Sequence, residues 1–143
     1  MITETKITVR DAETDQMGIA HHSNYAVWFE QSRTDMIAKA GGLHYRDMEE
    51  MGILLPLLEL GCSFRVPALY EDELTIRTAI TELAPARVTF RYLVYKDGIE
   101  KPISSGFTRH AFVGKDMRPM RLNKKFPEVY ALLESLAEPA FGM

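Results

Sequence analysis

The sequence is poor in the features that mark several classes of protein. Cys62 is its only cysteine, which excludes a disulfide within the chain and suits a reducing compartment. No run of about 18 apolar residues occurs and no basic-then-apolar leader opens the chain, so we expect neither a membrane span nor a signal peptide. Its 17 Lys and Arg against 20 Asp and Glu leave a net charge of −3, which gives no electrostatic support for general nucleic-acid binding. These absences predict a cytoplasmic protein.

The features that are present describe an ordinary folded chain. Apolar residues make up 46% of the sequence and charged residues 26%, both close to the averages for globular proteins. The length of 143 residues is enough for one domain with a substantial core and too short for two comfortable ones. Because no repeat, low-complexity segment or linker interrupts the chain, we expect residues 1–143 to form a single domain.

The hydrophobic periodicity predicts a sheet and one central helix. Alternation of apolar and polar residues indicates strands over residues 4–10, 73–82 and 87–96. A run rich in apolar and strand-forming residues indicates another strand over 57–66, and the chain returns from the Asp97-Gly98 turn as a further strand over 102–113. Helical spacing indicates helices over residues 24–40, 44–51 and 128–136, the first with Ser23 or Asn24 as its N-cap. Asp97-Gly98 is typical of a tight primed hairpin turn. Since strands joined by hairpins are antiparallel, we expect an α+β fold in which a mostly antiparallel sheet curls around the first helix.

Residues 11–33 hold the densest group of side chains that can carry protons or form hydrogen bonds. They open with a polar loop, which contains Asp11, Glu13, Asp15, His21, His22, Ser23 and Asn24. The helix that follows has its apolar residues on one stripe, made of Tyr25, Trp28, Phe29, Met36 and Ala40. The apolar run from 26 to 29 exceeds what a one-sided surface helix needs, so we expect this helix to be covered on more than one side. A carboxylate and two imidazoles are thus predicted beside the positive end of a buried helix.

Several residues of this loop and helix, in a strand–loop–helix context, match a family pattern: Asp15, Met17-Gly18, His22, Tyr25 and the segment from Trp28-Phe29-Glu30 to Arg33. Further matches are Pro67-Ala68 followed by Asp72 and Leu74, and Arg118-Pro119. On these residues the sequence resembles the hotdog-fold acyl-CoA thioesterases, in the branch of 4-hydroxybenzoyl-CoA thioesterase and the Tol-Pal-associated acyl-CoA thioesterases. The resemblance implies a five-stranded antiparallel sheet wrapped around a central helix. It also implies protomers joined edge to edge, as a homodimer or a tetramer of paired dimers, with active sites at the interface.

The resemblance further implies hydrolysis of an acyl-CoA to the free acid and coenzyme A. No cofactor is then expected besides the coenzyme A of the substrate, and acyl carrier protein is a second carrier of the acyl group to consider. Adjacent side chains on an extended loop diverge, so His21 and His22 make a poor metal clamp, and no metal site is expected.

Thioester hydrolysis needs a group that attacks the carbonyl carbon or activates water, and donors aimed at the carbonyl oxygen. Unpaired amides near His22 and Tyr25, at the helix start, are the expected donors. The resemblance implies that Asp15 is the nucleophile or general base, whereas the residues alone fit a turn-capping role equally well. His22 is either a group that orients water, carbonyl or Asp15, or an exposed loop histidine. Tyr25 is a core aromatic, a hydrogen-bonding group of the site, or both.

The predicted substrate-binding residues form two groups. Gly18, Ser23, Asn24 and Trp28 lie in or beside the loop, and Trp28 fits the core better than an acyl pocket. Arg87 and Arg118 are candidates for the coenzyme A phosphates, because phosphate binding calls for cations.

Two other functions fit the same residues. A hotdog hydratase or dehydratase would pair a histidine with an acidic residue of the central helix, and Glu30 is available there. A non-catalytic module that binds acyl groups or acyl carrier protein would bind a thioester without releasing thiol.

Overall fold

Five strands and four helices make up the fold of the protein, which we describe from a computed structural model. The structure describes residues 1–143 apart from the side chain of Ala40, so the prediction of Ala40 on the apolar stripe lies outside the described residues. The elements, in chain order, are β1 (Thr3–Thr8), α1 (Ser23–Gly41), α2 (Tyr45–Met51), β2 (Leu57–Phe64), β3 (Glu73–Ala84), β4 (Arg87–Lys96), β5 (Ser104–Ala111), α3 (Leu122–Lys125) and α4 (Pro127–Leu136). A short 3-10 turn, Asp11–Glu13, follows β1.

The strands form one sheet in the order β1-β3-β4-β5-β2, and every neighbouring pair is antiparallel. The predicted antiparallel sheet is therefore confirmed. Only β3-β4 and β4-β5 are joined as sequence neighbours, because the chain crosses the width of the sheet between β2 and β3. Two of the three connections among the last four strands thus join antiparallel neighbours, as expected of hairpins, and the connection from β2 to β3 is a crossover.

Helix α1 lies against the inner face of the sheet and contacts strands from edge to edge. Thr5 of β1 donates a hydrogen bond to Asp35 at 2.8 Å, and the Phe29 ring stacks on Tyr92 of β4 with centroids 4.3 Å apart. Tyr25 meets Phe64 of β2 edge-on at 4.9 Å. The predicted stripe is buried at Tyr25, Trp28, Phe29 and Met36. Cover on more than one side was predicted, but Val27 is 59% exposed, so one face of α1 remains open in the single chain.

The backbone corrects two local predictions, the N-cap of α1 and the type of the Asp97-Gly98 turn. The N-cap of α1 is His22 rather than Ser23 or Asn24, and its side chain makes no capping hydrogen bond. At the Asp97-Gly98 turn the Ile99 amide donates to the Lys96 carbonyl, and within the described residues only Gly98 of this turn has a positive φ, +85°. A primed type I turn needs positive φ at both central residues, so the turn is of another type.

The C-terminal helix α4 adds its apolar face to the core. Val129, Leu133 and Leu136 of α4 are buried, which confirms the amphipathic closing helix. Gly41, in the last turn of α1, lies so near Leu132 that a Cβ there would be 2.7 Å from its Cδ2. Among the helices of the described residues, none has both the length and the apolar character that crossing a bilayer requires.

Candidate active site

A cavity of about 330 Å³ lies at the N-terminal end of α1 and collects the chemistry of the polar loop. One wall is the loop and first turn of α1, with Asp15, His21, His22 and Tyr25. The opposite wall is the end of β2 and the start of the crossover, from Phe64 to Ala68. The structure therefore brings together the three predicted catalytic residues, Asp15, His22 and Tyr25.

The carboxylate of Asp15 holds its own loop and also lines the cavity. Its Oδ1 accepts hydrogen bonds from the Met17 amide at 2.8 Å and the Ile19 amide at 3.2 Å. No partner for Oδ2 occurs among the described residues, and the side chain is exposed. Gly18 allows this turn with a φ of +76°, a conformation that residues with a side chain rarely adopt. One oxygen of Asp15 is thus fixed while the other is available to a substrate.

The two histidine rings contact each other at a tilt of 32° and have different surroundings. Their ring centroids are 4.0 Å apart. His21 Nδ1 lies 2.8 Å from Ser23 Oγ and accepts the Ser23 amide at 3.2 Å, so His21 braces the helix start. His22 is exposed at the cavity and forms no side-chain hydrogen bond within the described residues. Of the pair, His22 is the imidazole that is free to contact a ligand.

Two of the amides at the start of α1, those of Asn24 and Tyr25, form hydrogen bonds within the turn, so the expectation of unpaired donors does not hold for these two. The Asn24 amide donates to the His21 carbonyl at 3.1 Å, and the Tyr25 amide donates to the His22 carbonyl at 3.2 Å. These bonds span three residues, as in a 3-10 turn, and they are longer than the 2.8 Å bonds that the Ala20 and His21 amides form. The amides of this first turn still point out of the helix end, where the helix dipole is positive.

Tyr25 is placed both as a core aromatic and as a residue that lines the cavity. It is 3% exposed, packs on Trp28 at a centroid distance of 4.8 Å, and lines the cavity. Burial raises the pKa of its phenol, and the neighbouring Ser104 hydroxyl offsets part of that effect. The phenol is therefore a protonated group beside the Asp15 cavity.

Four predicted substrate-binding residues do not line this cavity. Gly18 shapes the loop, and Ser23 contacts His21. Asn24 Nδ2 donates to the carbonyls of Glu13 and His21, at 2.8 and 3.0 Å, and so ties the 3-10 turn to the helix. Trp28 is 2% exposed and its indole donates to Glu13 Oε2 at 2.9 Å, so its place is in the core.

Glu13 is a buried carboxylate of this region, whereas its sequence position indicated only an acid of the polar loop. Burial acts to raise the pKa of Glu13, but hydrogen bonds from the Arg10 amide and the Trp28 indole, with the nearby Arg10 charge, hold that pKa below its usual value. The ionised carboxylate thus fixes the loop to α1. Within the described residues, no three His, Cys, Asp or Glu side chains are grouped as metal ligands.

Most of this cavity is formed by a part of the chain that matches a known family. The family model of the thioesterase superfamily matches residues 17–103, which is more than half of the chain and includes His22, Tyr25 and the crossover wall. The chain belongs to the thioesterase superfamily. Its membership places it among enzymes that hydrolyse thioesters.

Individual relatives extend the match over nearly the whole thioesterase. It is 34% identical over 134 residues to the Bacillus subtilis protein "Putative acyl-CoA thioesterase YneP", covering 93% of this chain and 96% of that protein. The crystal structure of DHNA-CoA thioesterase from Staphylococcus aureus superposes with a TM-score of 0.88 and 31% identity, covering 94% and 89% of the two chains. A hypothetical protein from Thermus thermophilus gives a TM-score of 0.85 and 38% identity, covering 96% and 99%. The hotdog fold is thereby confirmed.

The cations near the site of this thioesterase are not the predicted ones. Arg87 lines a separate cavity beside α4, and Arg118 lies exposed in the turn before α3. Arg65 lines the Asp15 cavity instead. Its position after an apolar strand and two residues before Pro67 is a weak signal, which becomes informative only once the crossover is known to pass the start of α1.

Proposed function

We propose that this thioesterase hydrolyses acyl-CoA thioesters, with Asp15 as the attacking or water-activating carboxylate. The observation that carries the proposal is the shared cavity of Asp15, His22 and Tyr25 at the positive end of α1. The names of its relatives support the substrate class, since one is called an acyl-CoA thioesterase and another a DHNA-CoA thioesterase. The 4-hydroxybenzoyl-CoA and Tol-Pal branch stays a prediction.

The chemistry follows from the free oxygen of Asp15. In one route Oδ2 attacks the thioester carbon and coenzyme A leaves as thiolate, after which water cleaves the acyl–Asp15 anhydride. In the other route Oδ2 takes a proton from water as the water attacks, and the thiolate leaves in the same way. Both routes place negative charge on the carbonyl oxygen, which the positive end of α1 would stabilise. His22 is positioned to hold the carbonyl or the water.

The exposed edge of the sheet supports a homodimer as the working assembly. Strand β2 has one neighbour, β5, and its other edge is open. Four large apolar side chains of this eight-residue strand are between 40% and 60% exposed: Leu57, Leu58, Leu60 and Phe64. So many exposed apolar residues in one strand are unusual. Pairing with a second copy would satisfy the backbone groups of the edge and cover these side chains. Since Phe64 also lines the Asp15 cavity, that interface would border the site.

The hydratase alternative gains no support from the placement of Glu30. This side chain is exposed and lines a different cavity, together with Arg33, Tyr45 and Glu49. It is not among the residues around Asp15. Free thiol measured with a saturated acyl-CoA and with an enoyl-CoA separates hydrolysis from hydration, because only hydrolysis releases thiol.

The test of the proposal is the substitution Asp15→Asn. The asparagine side-chain oxygen still accepts the Met17 and Ile19 amides, so the loop is expected to keep its shape while the carboxylate chemistry is lost. We expect the rate of thiol release from acyl-CoA to fall about 10²–10⁴-fold. Asp97→Asn, in the turn between β4 and β5, is the matched control and should keep the wild-type rate. A folded Asp15→Asn protein that hydrolyses acyl-CoA at the wild-type rate would overturn the proposal, and a substrate panel would show whether aromatic or aliphatic acyl groups are preferred.

A further inference from the structure

A second cavity, of about 390 Å³, lies on the outer face of the sheet, where β2, β5 and β4 run side by side. Arg91 reaches this face because its neighbours on β4, Phe90 and Tyr92, are fully buried on the other one. Arg65 and Lys101 complete the charged part of the wall, and no carboxylate lines it. In a chain with a net charge of −3, this cavity is locally cationic.

The three cations have no carboxylate partner. Among the described residues, none of Arg65, Arg91 and Lys101 takes part in a salt bridge. Like charges gathered without a counter-ion repel one another, so the arrangement favours an anion. Ser63 and Ser105, also in the wall, add hydroxyl donors on adjacent strands, where they are paired in register.

Arg65 and Arg91 are held by contacts that leave donors free. The Arg65 Nε donates to the Pro102 carbonyl at 2.9 Å, and its Nη2 donates to the Lys101 carbonyl at 3.3 Å. Nη1 has no partner among the described residues. Arg91 is half-buried, and its Cδ lies 2.5 Å from where a Cβ on Gly142 would be, so the C-terminal segment packs against its stem. A guanidinium fixed in this way binds a phosphate with little loss of side-chain entropy.

This cationic cavity adjoins the Asp15 cavity. Phe64 and Arg65 line both, at the end of β2. A ligand that has its reactive carbon at Asp15 and its anionic groups in the cationic cavity would pass along Arg65. Coenzyme A thioesters have this layout, with the thioester and the phosphates at opposite ends of a pantetheine arm.

We propose that the cationic cavity of Arg65, Arg91 and Lys101 binds the phosphate groups of coenzyme A, a proposal that rests on acyl-CoA being the substrate. It replaces Arg87 and Arg118 in this role, since neither lines the Asp15 cavity nor the cationic cavity. Leu93 and Pro102 give the same wall an apolar part.

The test measures binding of coenzyme A itself, by calorimetry, to the full chain. The variants are Arg91→Gln and Lys101→Gln, which leave the Asp15 cavity untouched, and Arg46→Gln on α2 is the matched control. Each of the two variants is expected to raise the Kd for coenzyme A about 5- to 30-fold, while Arg46→Gln keeps the wild-type Kd. Pantetheine, which has no phosphate, should bind all four proteins alike. The Kd values of 3′-dephospho-coenzyme A and 4′-phosphopantetheine, which lack different phosphates of coenzyme A, show which phosphate each cation contacts.

Thiol release from acyl-CoA, measured in parallel, separates this proposal from the proposed function. Higher KM in the variants with little change in kcat supports it, because the cations bind a part of the substrate that does not react. Unchanged Kd and KM in both folded variants, or a wild-type protein that does not bind coenzyme A, would overturn it. If the protein binds coenzyme A through these cations but releases no thiol, the proposed hydrolysis is contradicted and the phosphate site is not.

Discussion

At the scale of single residues, Asp15 shows that a capping role and a catalytic role are compatible. The sequence alone left these as alternatives, yet the structure gives Oδ1 two amide donors and leaves Oδ2 without a partner among the described residues. Fixing one oxygen lowers the freedom of the other, which helps an attacking group keep its direction. The loop that Asp15 stabilises through Oδ1 would therefore also orient Oδ2 towards a substrate.

His110 of β5 is a buried histidine with a direct effect on stability. It is 1% exposed, and its Nδ1 lies 3.1 Å from the Leu55 carbonyl. A carbonyl only accepts, so Nδ1 carries the proton, and Nε2 has no partner within the described residues. Burial first, and then the nearby Arg33 charge, lower the His110 pKa to about 4, against a smaller opposing effect of the Leu55 carbonyl.

We expect the free energy of unfolding to fall as the pH drops from 6.5 towards 4. Over this range the unfolded chain takes up a proton that folded His110 refuses, so the loss should reach about 2–3 kcal/mol between pH 7 and 4.5. Urea unfolding at both pH values checks this. His110→Gln should lose much of the pH dependence, and His44→Gln, at the exposed start of α2, should keep it. An equal drop in the His110→Gln protein would contradict the assignment.

At the scale of elements, the packing of α1 on β5 depends on the absence of a side chain at Gly106. A Cβ there would be 2.5 Å from Phe29 Cε2 and 2.8 Å from the Gly61 carbonyl oxygen. Phe29 has little room to move, because its ring is stacked on Tyr92. Gly106 thus sets how closely the central helix approaches the sheet.

We expect Gly106→Ala to lower the free energy of unfolding by about 1–3 kcal/mol, as overpacking of a filled core does. Urea unfolding is the measurement. Adding Phe29→Leu should cost less in the Gly106→Ala background than in the wild type, because the smaller side chain relieves part of the clash. Purely additive effects of the two substitutions would show that the contact is not the cause.

Most of the strands and helices could be predicted from the sequence, but not all of their boundaries or strand pairings. Alternation identified β4 well, and Val88, Phe90, Tyr92 and Val94 are all buried. The N-cap was misplaced because the backbone of His22 is already helical, with φ −59° and ψ −26°, which no capping preference reveals. Helix α3 has four residues and is too short to show a period. The apolar, strand-forming composition of β2 predicts a strand without indicating which strand it pairs with.

At the scale of the whole molecule, the open edge of β2 predicts the assembly. We expect Leu58→Lys to shift the protein from dimer towards monomer, because Leu58 is 60% exposed on that edge and a charge there opposes pairing. Sedimentation measures the change. Met51→Lys, which alters an exposed apolar residue of α2, should leave the dimer intact. A monomeric wild-type protein, or a Leu58→Lys dimer of unchanged stability, would contradict the predicted interface.

From the sequence, only those site residues that are close together in the chain could be predicted to lie together. Asp15, His22 and Tyr25 are close in the chain, so their motif was enough to place them together. Arg65, Arg91 and Lys101 come from three separate segments, and only the strand order brings them to one place. Arg87 and Arg118 were chosen for their charge, and charge alone does not say which face of a sheet a residue occupies.

The crossover between β2 and β3 shapes the Asp15 cavity from outside the sheet. Its first residues, Val66 to Ala68, form a wall of the Asp15 cavity, and the Ala20 amide donates to the Ala68 carbonyl at 2.8 Å. None of the five strands passes through this segment, so lengthening or shortening it would leave every ladder in register. A change of length in this segment is therefore expected to reshape one wall of the Asp15 cavity while the sheet beneath stays the same.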